Sequence, residues 1–146
     1  MASNVRRVNG TLSLDAACFP EPKSEEERSV QIKALTDWKI MLSDRFRLDL
    51  RVSERIRSWG EPFRTELRSE LTFMMSPWLM NMRLDAVKCD GWGLLGYWES
   101  GFRNDDLSLY IRLGLFAIDD WDDRIYVYER NAPGTFSVPA YYGRGV

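Results

Sequence analysis

The chain has 146 residues, enough for one domain with its own hydrophobic core. Its 20 basic and 22 acidic residues give a net charge of -2, which leaves no basic excess to neutralise a nucleic-acid backbone. The sequence contains no histidine, so the usual general base, the commonest metal ligand and the usual partner of a nucleophile are missing. We therefore expect a non-enzymatic protein that needs no cofactor and does not bind nucleic acid.

The N-terminal part of the chain carries weak signals. Residues 1–10 lack the apolar core of a secretory signal, and no apolar run is long enough for a transmembrane helix. Residues 11–19 and 30–42 are candidate strands, although we expect residues 1–28 to be less ordered than the rest.

Residues 45–57 give the clearest secondary-structure signal, an alternation with a period of two. Most even positions are apolar, and the odd positions are arginine, aspartate or serine. Phe46, Leu48, Leu50 and Val52 would scatter around a helix, but they line one face of a strand. The pattern predicts a strand with one apolar face and one charged face.

The same alternation returns along the chain with varying clarity. It is found at residues 63–73, 78–88, 93–103, 107–116, 124–129 and 136–141. Together with the earlier segments this makes eight or nine strands, most of them near the ~9–11 residues of a tilted membrane strand. We predict one all-β domain, an antiparallel up-and-down meander of about eight strands that forms a β-barrel or part of one.

Charge complementarity predicts the register of two strand pairs. If residues 76–77 form a two-residue hairpin loop, Glu70 lies opposite Arg83 and Arg68 lies opposite Asp85. For the preceding hairpin, the predicted pairs are Arg51 with Glu66, Asp49 with Arg68 and Arg47 with Glu70. Such an ionic ladder suits a narrow, water-poor interior, because an unpaired charge there is strongly unfavourable.

Two groups of residues are candidate site residues of such a barrel. The predicted lining of the interior consists of Arg47, Asp49, Arg51, Arg64, Glu66, Arg68, Glu70, Arg83, Asp85, Glu99 and Arg112. The predicted aromatic girdle at the membrane boundary consists of Trp59, Trp78, Trp92 and Trp121. We expect three of these, Trp59, Trp92 and Trp121, at one rim, in loops wider than the turns at the other rim.

Two other features have several interpretations. The acidic cluster Asp119, Asp120, Asp122 and Asp123 could hold calcium, but it fits no EF-hand spacing, so a solvated acidic turn is favoured and no metal is predicted. Cys18 and Cys89 belong to no CxxC motif, and a disulfide, two free thiols or no special role all stay open.

A soluble sheet has the same alternation with the opposite orientation. Its apolar face would point inward and its charged face would be wet. Since periodicity does not say which face meets water, a soluble β-barrel or sandwich that binds an apolar small ligand is the alternative function.

The segment DDWDDRIYVYERNAPGTFSVPAYYGRG (residues 119–145), with GLLGYWESGF and LSLYIRLGLF, resembles uncharacterised outer-membrane β-barrel proteins of the Bacteroidetes group. The resemblance covers roughly residues 36–146. It implies an outer-membrane location, a lipid partner and a late part of a longer barrel, and it transfers no catalytic residue. Because the chain has neither an export signal nor the aromatic terminal strand of such barrels, we expect a porin-like fragment that pairs with the remaining strands of a longer chain.

Overall fold

The computed structural model describes residues 7–19, 29–58, 63–130 and 136–146, which are almost entirely β. The seven long strands are β1 Arg7–Phe19, β2 Ser29–Met41, β3 Phe46–Arg57, β4 Phe63–Met75, β5 Trp78–Lys88, β6 Trp92–Arg103 and β7 Ser108–Ile118. The short strands are β8 Ile125–Tyr126, β9 Glu129–Arg130, β10 Phe136–Ser137, β11 Ala140–Tyr141 and β12 Gly143–Gly145. One 3-10 turn, Trp121–Asp123, is the only helical element in these ranges.

Eight strands form one antiparallel sheet in the order β1-β2-β3-β4-β5-β6-β7-β12. Each long strand pairs with the next one in the chain, so the predicted up-and-down meander is confirmed. The sheet is not closed into a barrel, since no strand pairing joins its edge strands β1 and β12 in the described part of the chain.

The C-terminal region corrects the predicted strand assignment. Residues 124–129 and 136–141 do not extend the main sheet, but form a separate hairpin (the C-terminal hairpin) in which β8 pairs with β11 and β9 pairs with β10. Gly143 then adopts a φ of 82°, a left-handed conformation that favours glycine, and the chain turns into β12 beside β7. The eighth strand therefore comes from the glycine-rich tail.

The connections divide between two ends of the sheet. At the turn end, residues 42–45, 76–77 and 104–107 join the strands. At the loop end, residues 89–91 join β5 to β6, while the connections from β1 to β2 and from β3 to β4 lie largely outside the described residues. Residues 76–77 form a two-residue connection with a cis Ser76–Pro77 peptide bond, and a turn with proline in its third position accepts that geometry. The predicted contrast between wide loops and tight turns is wrong at residues 89–91, because this three-residue connection is shorter than the four-residue connections 42–45 and 104–107 at the other end.

The predicted register between β4 and β5 is confirmed. Glu70 lies opposite Arg83 and Arg68 lies opposite Asp85.

The predicted register between β3 and β4 is wrong by two residues. Arg51 lies opposite Arg68, and Asp49 lies opposite Glu70. This register places Phe46 opposite Phe73 with ring centroids 4.7 Å apart. The contact between these apolar side chains therefore favours the observed register. Arg51 and Asp49 form their ion pairs with residues other than their cross-strand neighbours on β4.

Candidate functional site

One face of the main sheet, which we call the charged face, carries all eleven predicted ladder residues. They occupy alternate positions of β3 to β7. Four are buried, namely Arg64, Arg83, Asp85 and Glu99, and the other seven are half-buried. None of the eleven belongs to the exposed class.

The opposite face, which we call the apolar face, is the open one. Leu67 and Leu109 are 51% and 55% exposed, and Leu113 and Leu115 are 62% and 64% exposed. The same face continues across β1 and β5, where Leu12 is 77% and Leu84 is 67% exposed. The sheet thus covers its ionic side chains and leaves its large aliphatic side chains open, the reverse of a soluble sheet.

Asp85 is the centre of the buried charge network. It accepts two hydrogen bonds from Arg83, of 2.5 and 3.0 Å, and one of 2.8 Å from Arg68 on the adjacent strand. The side chains of Arg83 and Asp85 are only 6% and 5% exposed. Two cations therefore share one carboxylate in this part of the sheet.

Other ladder residues form pairs within a strand or across strands. The cross-strand pairs are Arg51 with Asp37 at 2.7 Å and Arg112 with Glu99 at 2.6 Å. The pairs within a strand are Arg47 with Asp49 at 2.7 Å and Arg64 with Glu66 at 2.6 Å. An arginine side chain thus pairs with a carboxylate either two residues away on its own strand or on a neighbouring strand. Like charges can therefore lie opposite each other in the register.

Three arginines of the charged face hold the C-terminal segment by its backbone. Arg64 donates to the carbonyl oxygens of residues 122 and 124, the latter at 2.8 Å. Arg83 donates to the carbonyl of residue 126 at 3.3 Å, and Arg112 donates to that of residue 128 at 3.0 Å. The even-numbered carbonyls from 122 to 128 therefore all face arginines, a contact that the alternation in the sequence does not reveal.

The odd-numbered side chains of that segment form the small core of the protein. Ile125 and Val127 are 3% and 1% exposed and pack with Val87, Leu95 and Ile118 of the sheet. These three apolar residues interrupt the charged pattern of the covered face near its loop end. They are the sequence signal that could have predicted a segment packed there.

Asp123 corrects the interpretation of the acidic cluster as a solvated turn. Its side chain is fully buried and accepts hydrogen bonds from the backbone N–H groups of Cys89 at 2.8 Å and Gly91 at 2.7 Å. A Cβ at Gly93 would lie 2.5 Å from the carbonyl oxygen of Asp123, so this approach requires glycine. Among the described residues, no group of acidic or cysteine side chains is arranged to hold a metal ion.

Three polar atoms of the charged face have no hydrogen-bond partner in the described part of the protein. They are Asp49 Oδ1, Thr72 Oγ1 and Asn81 Oδ1, and all three are buried. Buried polar atoms of this kind are commonly satisfied by water. The charged face therefore suits a hydrated interior.

Aromatic residues gather at both ends of the sheet. At the turn end, Trp78 packs edge-to-face on Phe102 with ring centroids 5.1 Å apart. At the loop end, Lys88 lies over the ring of Trp92 at 5.6 Å, and Trp121 contacts Tyr142 with centroids 5.8 Å apart. Trp92 and Trp121 thus share one end and Trp78 lies at the other, while the predicted girdle residue at position 59 lies outside the described residues.

The two cysteines are free thiols. Cys18 is exposed on β1, whereas Cys89 is half-buried in the connection between β5 and β6. Burial raises the pKa of the Cys89 thiol above its ordinary value, and the nearby Asp123 carboxylate acts in the same direction. Cys89 is therefore a poor nucleophile at neutral pH.

No protein-family model, curated protein or solved structure matches this chain. Within the described ranges, no helix is both long and apolar enough to cross a membrane.

Proposed function

We propose that this chain forms part of the wall of an outer-membrane β-barrel, with a structural role or as a narrow pore, and without enzymatic activity. The observation that carries the proposal is the orientation of the two faces. Leu67, Leu84 and Leu113 of the apolar face are more than half exposed, while Arg83 and Asp85 are each 6% exposed. An apolar surface of this extent is unfavourable in water and favourable against acyl chains.

The dimensions of the apolar face support a lipid environment. Ten residue steps separate Trp78 at the turn end from Lys88 at the loop end. At ~3.4 Å per residue this is ~34 Å of strand, or ~26 Å of height at a tilt of ~40°. The apolar band of an outer-membrane barrel is ~25 Å tall and is bounded by aromatic residues on both sides. The pairs Trp78–Phe102 and Lys88–Trp92 lie at the two ends of this span.

The covered face supports a narrow or closed interior. The six arginines of the predicted ladder are paired with carboxylates, and Arg64, Arg83 and Arg112 also bind the backbone of the C-terminal segment. That segment and the C-terminal hairpin occupy space that a wide pore would need. The resemblance of residues 119–145 to outer-membrane barrels supports the barrel itself. The unpaired edge of β1, and the part of β7 that the short strand β12 leaves unpaired, suit further strands of a longer chain.

One observation favours the alternative function, a soluble protein that binds an apolar small ligand. The apolar face carries a groove of about 780 Å³, within the usual size range of small-molecule sites. Leu67, Leu84, Leu94 and Leu115 are among its lining residues. In a barrel, the same groove would accommodate lipid chains.

The test is the behaviour of the purified full chain with and without lipid. We expect it to need detergent for solubility and to float with phospholipid vesicles in a density gradient. Folding can be followed by the fluorescence of its tryptophans, and lipids brominated on the acyl chain should quench that fluorescence. A monomer that stays in the aqueous phase, and whose fluorescence responds to an apolar ligand, would support the alternative and contradict the barrel.

A further inference from the structure

A cavity of about 260 Å³ lies between the charged face and the C-terminal hairpin, beside β7. Gly114 leaves this space open, because its Cβ would lie on the covered face between Arg112 and Phe116. A Cβ there would meet the Cβ of Tyr97 at 3.4 Å and a backbone oxygen at 3.5 Å, with no other close contact. At ~30 Å³ per water, the cavity has room for a ligand of about nine water-sized groups.

Glu129 supplies the charge of the cavity. Its carboxylate accepts hydrogen bonds from the hydroxyls of Ser137 at 3.1 Å and Tyr141 at 2.9 Å. Burial, with the Glu129 carboxylate, raises the pKa of Tyr141, so this hydroxyl stays a donor at neutral pH. No salt bridge to Glu129 is present within the described residues.

The one cation in the lining is already neutralised. Arg112 donates two hydrogen bonds to Glu99, of 2.6 and 3.0 Å, and a third to the carbonyl of residue 128. Arg112 and Glu99 cancel each other, and Glu129 is the other charged side chain of the lining. A carboxylate in this position is complementary to a cation.

Aromatic rings form another part of the lining. Phe116 and Tyr141 meet edge-to-face with centroids 5.0 Å apart, and both line the cavity. Ring faces attract organic cations, most strongly when water is excluded. Tyr97 already has Arg112 over its ring at 4.4 Å, which shows that cations are accommodated against rings in this region.

We propose that this cavity binds a small organic ammonium ion, with Glu129 as its counter-charge and with Phe116 and Tyr141 as ring contacts. Gly114 provides the space. The site lies on the covered face, so it does not depend on whether the apolar face contacts lipid.

The test uses choline as the probe and its neutral carbon isostere, 3,3-dimethylbutan-1-ol, as the matched ligand. Binding to the full chain would be measured by isothermal titration calorimetry, in a non-ionic maltoside detergent if one is needed, since phosphocholine detergents carry the probe group. We expect saturable binding of choline and at least about tenfold weaker binding of the isostere. Equal binding of both ligands, or no binding of choline, would overturn the proposal.

Three variants localise the site. Glu129→Gln removes the charge and keeps one of the two acceptor oxygens, and it should weaken choline binding by about tenfold or more. Glu54→Gln is the matched control, because Glu54 is exposed on the other face and accepts from Thr65 at 2.8 Å. Gly114→Leu should abolish binding by filling the cavity. Unchanged tryptophan fluorescence would show that each variant is folded, and full choline affinity in folded Glu129→Gln or Gly114→Leu protein would contradict the assignment.

Discussion

Arg83 and Asp85 lie two residues apart on β5 and form a bidentate ion pair, with hydrogen bonds of 2.5 and 3.0 Å. Both side chains are almost completely buried. Asp85 also accepts a hydrogen bond from Arg68 on β4, and Arg83 also donates one to the carbonyl of Tyr126. The pair therefore connects β4, β5 and the segment that covers the sheet through one buried network.

Asp85→Asn should destabilise the protein strongly. The change leaves Arg83 and Arg68 without their shared counter-charge in a buried site, and breaking such a pair costs ~3–5 kcal/mol. The free energy of unfolding, measured with a denaturant, reports this loss. Asp49→Asn is the control, because the side chain of its partner Arg47 is 37% exposed, and it should change stability by less than about 1 kcal/mol. Equal losses in the two variants would contradict the central role of Asp85.

Asp123→Asn should loosen the loop end of the sheet. The two carboxylate oxygens accept from the backbone N–H groups of Cys89 and Gly91, and an asparagine offers only one acceptor, so one N–H loses its partner. We expect a loss of about 1–3 kcal/mol and faster hydrogen exchange at that amide. Asp119→Asn, at an exposed residue with a single 3.3 Å contact to the N–H of Trp92, should have little effect. Unchanged exchange at both amides in Asp123→Asn would refute the anchoring role.

Arginine substitutions on the apolar face should show a dependence on depth. Leu113 lies at mid-strand opposite Trp98, and Leu109 lies opposite Phe102 in the aromatic row of the turn end. In phospholipid vesicles, Leu113→Arg should cost ~2–4 kcal/mol and Leu109→Arg ~0–1 kcal/mol. Reversible unfolding of the vesicle-bound protein would give both values. In a soluble protein neither exposed position should matter, so equal stability of both variants would contradict the lipid-facing assignment.

The two thiols should differ in their reactivity. Because burial raises the pKa of Cys89, less thiolate is present at a given pH, and its alkylation by iodoacetamide should be slower than that of exposed Cys18. The proteins Cys18→Ser and Cys89→Ser, each with one remaining thiol, allow the rates to be measured separately from pH 7 to pH 10. The rate at Cys89 should rise to half of its maximum at a pH above its ordinary pKa. Faster alkylation of Cys89 than of Cys18 would contradict the effect of burial on the Cys89 thiol.

The strands were predictable because a long segment that alternates with a period of two places its apolar side chains on one face only if it forms a strand. Six of the predicted segments, including residues 78–88, lie within two residues of the observed strands at both ends. The pairing of Arg68 with Asp85 was predictable because a two-residue turn fixes the register of its hairpin.

The register between β3 and β4 was not predictable from charge. Arg51 finds its carboxylate on β2, at Asp37, and therefore tolerates Arg68 as its cross-strand neighbour. A long arginine side chain reaches several alternative partners, so counting opposite charges between two strands ignores the third strand. The contact between Phe46 and Phe73 is more restrictive, because their rings must meet directly.

The sequence alone determined that the chain forms strands with an apolar and a charged face, since side chains alternate along any extended backbone. Only the tertiary structure decided which face is covered. Which face is covered depends on Arg64, Arg83 and Arg112, which bind backbone carbonyls of a segment distant in sequence. It also depends on Asp123, which accepts a hydrogen bond from a backbone N–H of the connection between β5 and β6. Backbone hydrogen bonds of this kind carry no residue-type signature, so the positions that accept them become visible only once the chain is folded.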